Sequence, residues 1–188
     1  MKEHGVAAST FSDWWNYKME VVDAIPYNAS IMHRVGLNVA INSDDAEMAR
    51  RLNQEAGKIV KYGGTSEEDA LKMVTLNPAK MMHIDRQVGS IKVGKDADVV
   101  LWSDHPLSIY AKSVYTIVDG AVYYDREKDE QMRKLVATER QRLIRKMIGE
   151  KRSGASVQPA TPTYQYMHTC SDHAHSHGLL TIDAEGVQ

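Results

Sequence analysis

Thr75-Leu76-Asn77-Pro78-Ala79-Lys80, followed by Val88-Gly89-Ser90-Ile91-Lys92-Val93-Gly94-Lys95-Asp96-Ala97-Asp98-Val99-Val100, is the stretch on which the reading of this chain turns. Its residue types are those of a scaffold. Asn77 reads as a helix N-cap and Pro78 as the first helical residue, where a missing N–H leaves no bond unmade. The helix so opened is expected to close near Ile84. Gly89 and Gly94 allow turns, and Asp96 and Asp98 stand at strand ends. Before this stretch the chain is helical: Thr65-Ser66-Glu67-Glu68 has the form of a capping box, in which Thr65 and Glu68 satisfy each other's backbone donors, and the helix it opens runs to about Leu76. Beyond it the pattern turns to short strands, Val88 to Trp102 and Val114 to Tyr124. The runs Val99-Val100-Leu101-Trp102 and Tyr115-Thr116-Ile117-Val118 suit sheet interiors, and Asp119-Gly120 signals a hairpin.

Towards the N-terminus, Val6 to Thr10 reads as a strand and is followed by the aromatic segment Phe11 to Tyr17. A helix is expected over Ala29 to Arg34, stopped by Gly36. Leu37 to Ile41 reads as a second buried strand, ending at Asn42-Ser43-Asp44-Asp45. Met48, Leu52, Ala56, Ile59 and Val60 recur at helical spacing, so one helix is expected over Ala46 to Tyr62, ended by Gly63-Gly64. This order makes two βα units. Two units cannot close a parallel sheet with both faces covered, so partner strands are expected from upstream sequence or another chain. Met1 to Gly5 resembles a last helical turn with its glycine stop, which fits a chain that continues upstream. After the β-rich segment, Glu127 to Arg152 is charged and helix-forming, with Met132, Leu135, Val136, Leu143 and Met147 along one face. From Ser153 onward there is no Lys or Arg, and the Ser/Pro/Thr/His/Gly composition reads as a disordered tail.

Bulk properties narrow the function classes. A chain of 188 residues with 43% hydrophobic and 26% charged residues has a globular balance. The net charge of −2 and pI of about 6.4 give no electrostatic footprint for nucleic acid. No apolar run approaches the ~20 residues that span a bilayer, and the N-terminus lacks the apolar core of a secretory signal. Neither nucleic acid nor membrane is therefore expected as a partner. A single cysteine excludes an internal disulfide and leaves the compartment undetermined.

The opening stretch resembles the T-x-N-P-A … G-S-I-x-x-G-K-x-A-D-x-V pattern of the amidohydrolase superfamily, which constrains many positions across 26 residues. Leu37 to Tyr62 resembles that family's last barrel strand and following helix. The match is to the branch with imidazolonepropionase-like and Xaa-Pro-dipeptidase-like members. Ala7-Ala8-Ser9-Thr10-Phe11-Ser12-Asp13-Trp14-Trp15 resembles the strand before it. The resemblance covers Met1 to Arg126. It implies an α/β fold made of the last two βα units of a TIM-type barrel and the C-terminal strands of a composite β-sandwich domain. The implied organisation is residues 1–86 as barrel, 87–126 as sandwich strands, 127–152 as a charged amphipathic helix and 153–188 as a flexible His-rich tail.

Function is implied in the same terms. In the family, the aspartate ending the last barrel strand ligates a divalent metal, usually zinc, and shuttles the proton of the attacking water to the leaving amine. Motif alignment assigns that place to Asp44. In a parallel barrel, functional groups gather at the C-terminal strand ends, where Asp44 lies, and a carboxylate beside a metal-activated water can pass a proton both ways. Asp45 is the adjacent candidate, and a purely structural N-cap role for Ser43-Asp44-Asp45 is the alternative. Trp14 and Trp15 are candidates for shaping the substrate pocket, or for packing on a neighbouring loop. The family's H-x-H pair, its carbamylated Lys or Glu and its other histidines have no counterpart on these strands. One carboxylate does not make a catalytic zinc site, so the isolated chain is expected to be inactive. The substrate is expected to be a small amide, cyclic amide or dipeptide. The second reading is a non-catalytic metal-binding or interaction module using His168, Cys170, His173, His175 and His177. A third is an assembly subunit that docks through the charged helix.

Overall fold

The structure, a computed structural model, describes residues 1–156 and residue 158. The described chain divides into two compact units, Met1–Asp125 and the segment from Arg126 onward.

In the first unit, β1 (Ala8–Thr10) and β2 (Val39–Ile41) pair in parallel, with Ala8 opposite Val39, Ser9 opposite Ala40 and Thr10 opposite Ile41. Parallel neighbours need a crossover between them, and α1 (Asn28–Arg34) lies within it. Four more helices follow: α2 (Ala46–Ala49), α3 (Leu52–Gly63), α4 (Glu67–Met73) and α5 (Leu76–Met81). The mixed α/β character of the sequence reading holds.

The core forms where β2 meets the helices. Ala29, Val39, Ile41, Ile59 and Met73 are buried together, flanked by Met32, Leu37, Leu52 and Val74. Val39 and Ile41 alternate with Ala40 along the strand, so they share one face. Ser9 stands opposite Ala40, and its hydroxyl is 2.7 Å from Asn42 Nδ2. The two-stranded sheet thus has one aliphatic, helix-covered face and one face of small and polar side chains.

Polar anchors fix the helices on this core. Ser30, fully buried, lies 2.7 Å from the Thr65 hydroxyl and donates to the Ile59 carbonyl at 3.3 Å. Asn28 Nδ2 donates to Thr10 Oγ1 at 2.8 Å. Asn77 Nδ2 donates to the Val39 carbonyl at 2.7 Å. The bonds from Ala8 N to Asn38 O and from Asn42 N to Thr10 O put the even-numbered peptide groups of β2 towards β1, so Val39 C=O points to the opposite edge. Asn77→Ala removes its side-chain donor there and is expected to lower stability by about 1–2 kcal/mol. Urea denaturation checks this, and an unchanged midpoint would show that water serves the carbonyl equally well.

The β-rich segment forms an antiparallel sheet in the order β3 (Val99–Trp102), β4 (Ser113–Val118), β5 (Ala121–Asp125). Asp119 and Gly120 both take positive φ, 50° and 76°, the pairing a two-residue type I′ hairpin requires. Asp98 Oδ1 accepts from Asp119 N at 2.8 Å and steadies the turn from outside. Ahead of β3 the chain winds around the Lys95 ammonium, which donates to Asp85 O at 2.5 Å, Val88 O at 3.0 Å and Ser90 Oγ at 2.7 Å. The loop after β3 lies on α3: Asn53 Nδ2 reaches Pro106 O at 2.6 Å, and a Cβ at Gly57 would stand 2.9 Å from Leu107 O.

Several sequence expectations are corrected. The helix expected over Ala46 to Tyr62 is two helices, interrupted at Arg50-Arg51. Asp45 Oδ1 caps Met48 N at 2.9 Å, and Arg51 leaves the helical region at φ −127°. The capping role belongs to Ser66, not Thr65: Ser66 Oγ accepts from Asp69 N at 3.1 Å, while the Thr65 hydroxyl is engaged with Ser30. Thr75 is the N-cap of α5, so Asn77 is free to bond β2 instead. The helix closes at Met81 rather than near Ile84. Of Val88 to Trp102, only Val99–Trp102 is strand, because the turns at Gly89 and Gly94 and the hub at Lys95 occupy the preceding residues.

The second unit holds α6 (Arg126–Arg152), a helix of 27 residues with none buried. Its first half carries i,i+4 ion pairs, Arg126–Glu130 at 3.1 Å and Arg133–Asp129 at 2.6 Å. Among the described residues no helix is long and apolar enough to cross a membrane. The tail candidates His168, Cys170, His173, His175 and His177 lie outside the described residues.

Candidate functional site

The C-terminal ends of β1 and β2 open side by side into two loops, residues 11–18 and residues 42–45. Parallel pairing brings these loops together, since both strands leave the sheet in the same direction.

Asp44 sits on the second loop, exposed, with φ of 50°. Ser43 before it is buried, and Asn42 Oδ1 is a buried acceptor without a partner. A non-glycine residue at positive φ is uncommon, though aspartate tolerates it better than most. It also means that strand alternation no longer dictates which way the Asp44 carboxylate is presented. Asp45 differs in role, since it caps α2 through Met48 N.

The first loop rests on a partly buried ionic cluster. Glu55 of α3 is 5% exposed and accepts a hydrogen bond from the Ser12 hydroxyl, and Ser12 itself is buried. Lys58, one turn further along α3, donates to Glu55 Oε1 at 2.7 Å and also to Asp13 Oδ2. Burial alone would depress the Lys58 pKa, but hydrogen bonds to Asp13 and Glu55, with their charges, hold it above the usual lysine value. A raised folded-state value means that this stabilisation is complete below the unfolded lysine pKa and fades as pH rises through the folded one. Lys58→Met leaves Glu55 buried with only the Ser12 donor. It is expected to cost about 1–2 kcal/mol at neutral pH, discounted for the partial exposure of the pair. The difference from wild type should shrink above pH ~10.4, as followed by thermal unfolding across pH.

Above this cluster the loop aromatics stack. Phe11 and Trp14 have ring centroids 4.9 Å apart, Trp14 and Tyr17 meet edge-on at 5.2 Å, and Trp14 Nε1 donates to Met48 Sδ at 3.2 Å. Trp14, Tyr17, Asp13, Asp45, Met48, Arg51, Gln54, Glu55 and Lys58 line an open cleft of about 640 Å³. Trp14 both packs and lines this cleft. Trp15 is 48% exposed and is not part of its wall, and Asp44 lies beside it rather than on it. A larger cavity of about 740 Å³ lies on the other flank of α3, against β3, and is mainly apolar. The strand-end cleft is the one with titratable groups next to Asp44. Glu55 and Lys58 escaped the sequence reading because on α3 they look like an ordinary i,i+3 surface pair; only the Ser12 contact across the fold reveals the burial.

Among the described residues, no three His, Cys, Asp or Glu side chains come together as a metal would require. His33 pairs with Asp69 at 3.6 Å and His105 with Glu67 at 3.5 Å, both on partly exposed surfaces. At the strand ends Asp13 pairs with Lys58 and Asp45 caps α2, which leaves the exposed Asp44 carboxylate with the neighbouring Asn42 amide oxygen as the candidate donors. By itself that does not fit a catalytic zinc, which takes three protein ligands.

Comparison with known proteins adds to this geometry. Residues 25–146 match the model of the amidohydrolase family. The chain is 32% identical over 120 residues to the amidohydrolase tasK of Hapsidospora irregularis, covering 63% of this chain and 12% of that protein. It is 35% identical over 80 residues to the 5-methylthioadenosine/S-adenosylhomocysteine deaminase of Thermoanaerobacter pseudethanolicus, covering 37% of this chain and 19% of the other. Among solved structures, an amidohydrolase from Thermotoga maritima superposes with a TM-score of 0.58 at 28% identity, over 66% of this chain and 33% of that one. A zinc-bound adenosine deaminase from Xanthomonas campestris shares the fold, with a TM-score of 0.51 at 24% identity over 77% of this chain and 38% of that one. The chain thus spans less than a fifth of the length of these curated relatives.

Proposed function

Because the chain belongs to the amidohydrolase family, we propose that it supplies the last two βα units of that family's barrel and the C-terminal strands of its composite β-sandwich, and that it serves the hydrolysis of a carbon–nitrogen bond with Asp44 as proton shuttle. The observation that carries this reading is the position of Asp44: it follows the second of two parallel strands, beside the loop that continues the first. The small and polar sheet face, with Ser9 and Asn42, supports it as the face turned towards the barrel interior.

The chemistry for this chain's own residues is a proton relay. The Asp44 carboxylate accepts a proton from the attacking water as its oxygen bonds to the substrate carbonyl or ring carbon. It returns that proton to the nitrogen as the carbon–nitrogen bond breaks. A bound divalent metal, with zinc favoured, supplies acidification of that water. Its other ligands come from outside the described residues, from a preceding barrel portion or a second copy of the chain. Alone, the chain is inactive. Trp14 and Tyr17 bound one side of the substrate space, and the substrate class is a small amide, cyclic amide or dipeptide, as in the imidazolonepropionase-like and Xaa-Pro-dipeptidase-like branch.

Metal content and hydrolysis of a panel of small amides and Xaa-Pro dipeptides, measured with and without residues 153–188, test the proposal. Metal that disappears with those residues, together with no turnover, is the expected result for the isolated chain. Stoichiometric metal that survives their removal and is lost in Asp44→Asn would mean that copies of this chain complete the site among themselves. Metal bound through His168, Cys170, His173, His175 and His177, with turnover still absent when a preceding barrel portion completes the ligand set, would favour the non-catalytic reading.

A further inference from the structure

The second half of α6 has a composition unlike the first. Over residues 126–139, four basic and four acidic side chains cancel; over residues 140–152, six basic side chains stand against Glu150 alone. Within this basic half, Leu143, Ile144, Met147 and Ile148 fall in an arc of about 140° on a helix of 3.6 residues per turn. Arg142, Arg145 and Lys146 lie on the rest of the circumference, and Arg140 and Lys151 bracket the aliphatic patch at its two ends. Every residue from Gln131 to Arg152 is exposed, and the four aliphatic side chains retain 37–47% of their surface.

Two features must be satisfied together by whatever covers this surface: an aliphatic face and a net charge of +5. A second copy packed patch on patch through residues 140–152 would bury the aliphatics but bring two strongly cationic segments into contact. A nucleic acid would use the charge and leave the aliphatics in water. A flat anionic surface with an apolar interior uses both, because the aliphatic face enters it while Arg and Lys side chains extend sideways to the charged layer. The helix is already formed, so binding carries no coil-to-helix cost. We infer that residues 140–152 of α6 dock in the plane of an anionic lipid surface. The sequence reading set membranes aside for want of a spanning run; a helix that lies in the interface needs instead an aliphatic face flanked by basic side chains, and residues 140–152 supply both.

The test is sedimentation of the full chain with phosphatidylcholine vesicles, with and without phosphatidylserine, at low and raised salt. The expected result is binding that needs phosphatidylserine and weakens with salt. The triple variant Arg140→Gln, Arg145→Gln, Lys146→Gln should bind about 100-fold more weakly. Leu143→Gln with Met147→Gln should lose at least about tenfold through the aliphatic face alone. Circular dichroism confirms that the variants keep the helix. Absence of binding to either vesicle overturns the inference, as does equal binding to both. So does binding that survives Leu143→Gln with Met147→Gln and is displaced by an RNA duplex, which would mark a general polyanion site.

Discussion

Asp44→Asn is expected to lower hydrolysis by about 10²–10⁴-fold in the protein that carries the complete set of metal ligands. Asparagine keeps the size of the side chain and one carbonyl oxygen, but it cannot take up a proton at neutral pH. If Asp44 acts as the shuttle, the loss falls on kcat, with bound metal largely retained; if it acts chiefly as a ligand, metal content and activity fall together. Asp45→Asn is the control, because asparagine preserves the cap on Met48 N and Asp45 already has that structural role. Activity lost in Asp45→Asn and kept in Asp44→Asn would move the shuttle one residue along the loop.

Gly63→Ala should destabilise the first unit by about 2–3 kcal/mol, although alanine is ordinarily the better helix former. A Cβ at position 63 would stand 1.8 Å from Ser30 Oγ and 2.5 Å from Ser30 Cβ, so α1 and the end of α3 cannot both keep their places. Displacing Ser30 also breaks its bonds to Thr65 and to the Ile59 carbonyl. A smaller neighbour should relieve the clash, so Ser30→Gly with Gly63→Ala should be more stable than the sum of the two single changes. Urea unfolding of the four proteins measures this. Strict additivity would show that Gly63 matters for backbone conformation alone.

Features set by near neighbours in the chain were legible in advance. The hairpin at Asp119-Gly120 follows from the rarity of residues that tolerate two successive positive φ values, and the chain turns there between β4 and β5. The periodicity of Leu52, Ala56 and Ile59 located α3, and each of these residues faces inward at least in part. The same periodicity missed the break at Arg50-Arg51, because a single disrupted turn leaves the spacing on either side almost unchanged. The capping-box motif likewise pointed one residue early, since Thr65 and Ser66 are equally good caps locally and only the contact with buried Ser30 draws Thr65 away.

By itself, then, the sequence determined the order of helices and strands, the parallel βα character of the first part, the hairpin, and the position of Asp44 at a strand end. These depend on side-chain size, backbone preference and hydrogen bonds spanning a few residues, all of which are written locally. Tertiary structure alone decided that Asn77 bonds Val39 rather than capping its own helix, that Lys95 gathers the carbonyls ahead of β3, that Glu55 is buried against Ser12, and that Asp44 adopts a positive φ. Each of these joins groups distant in sequence or answers to packing around it. A polar side chain with several possible partners is committed to one only when folding removes the water that would otherwise serve them all.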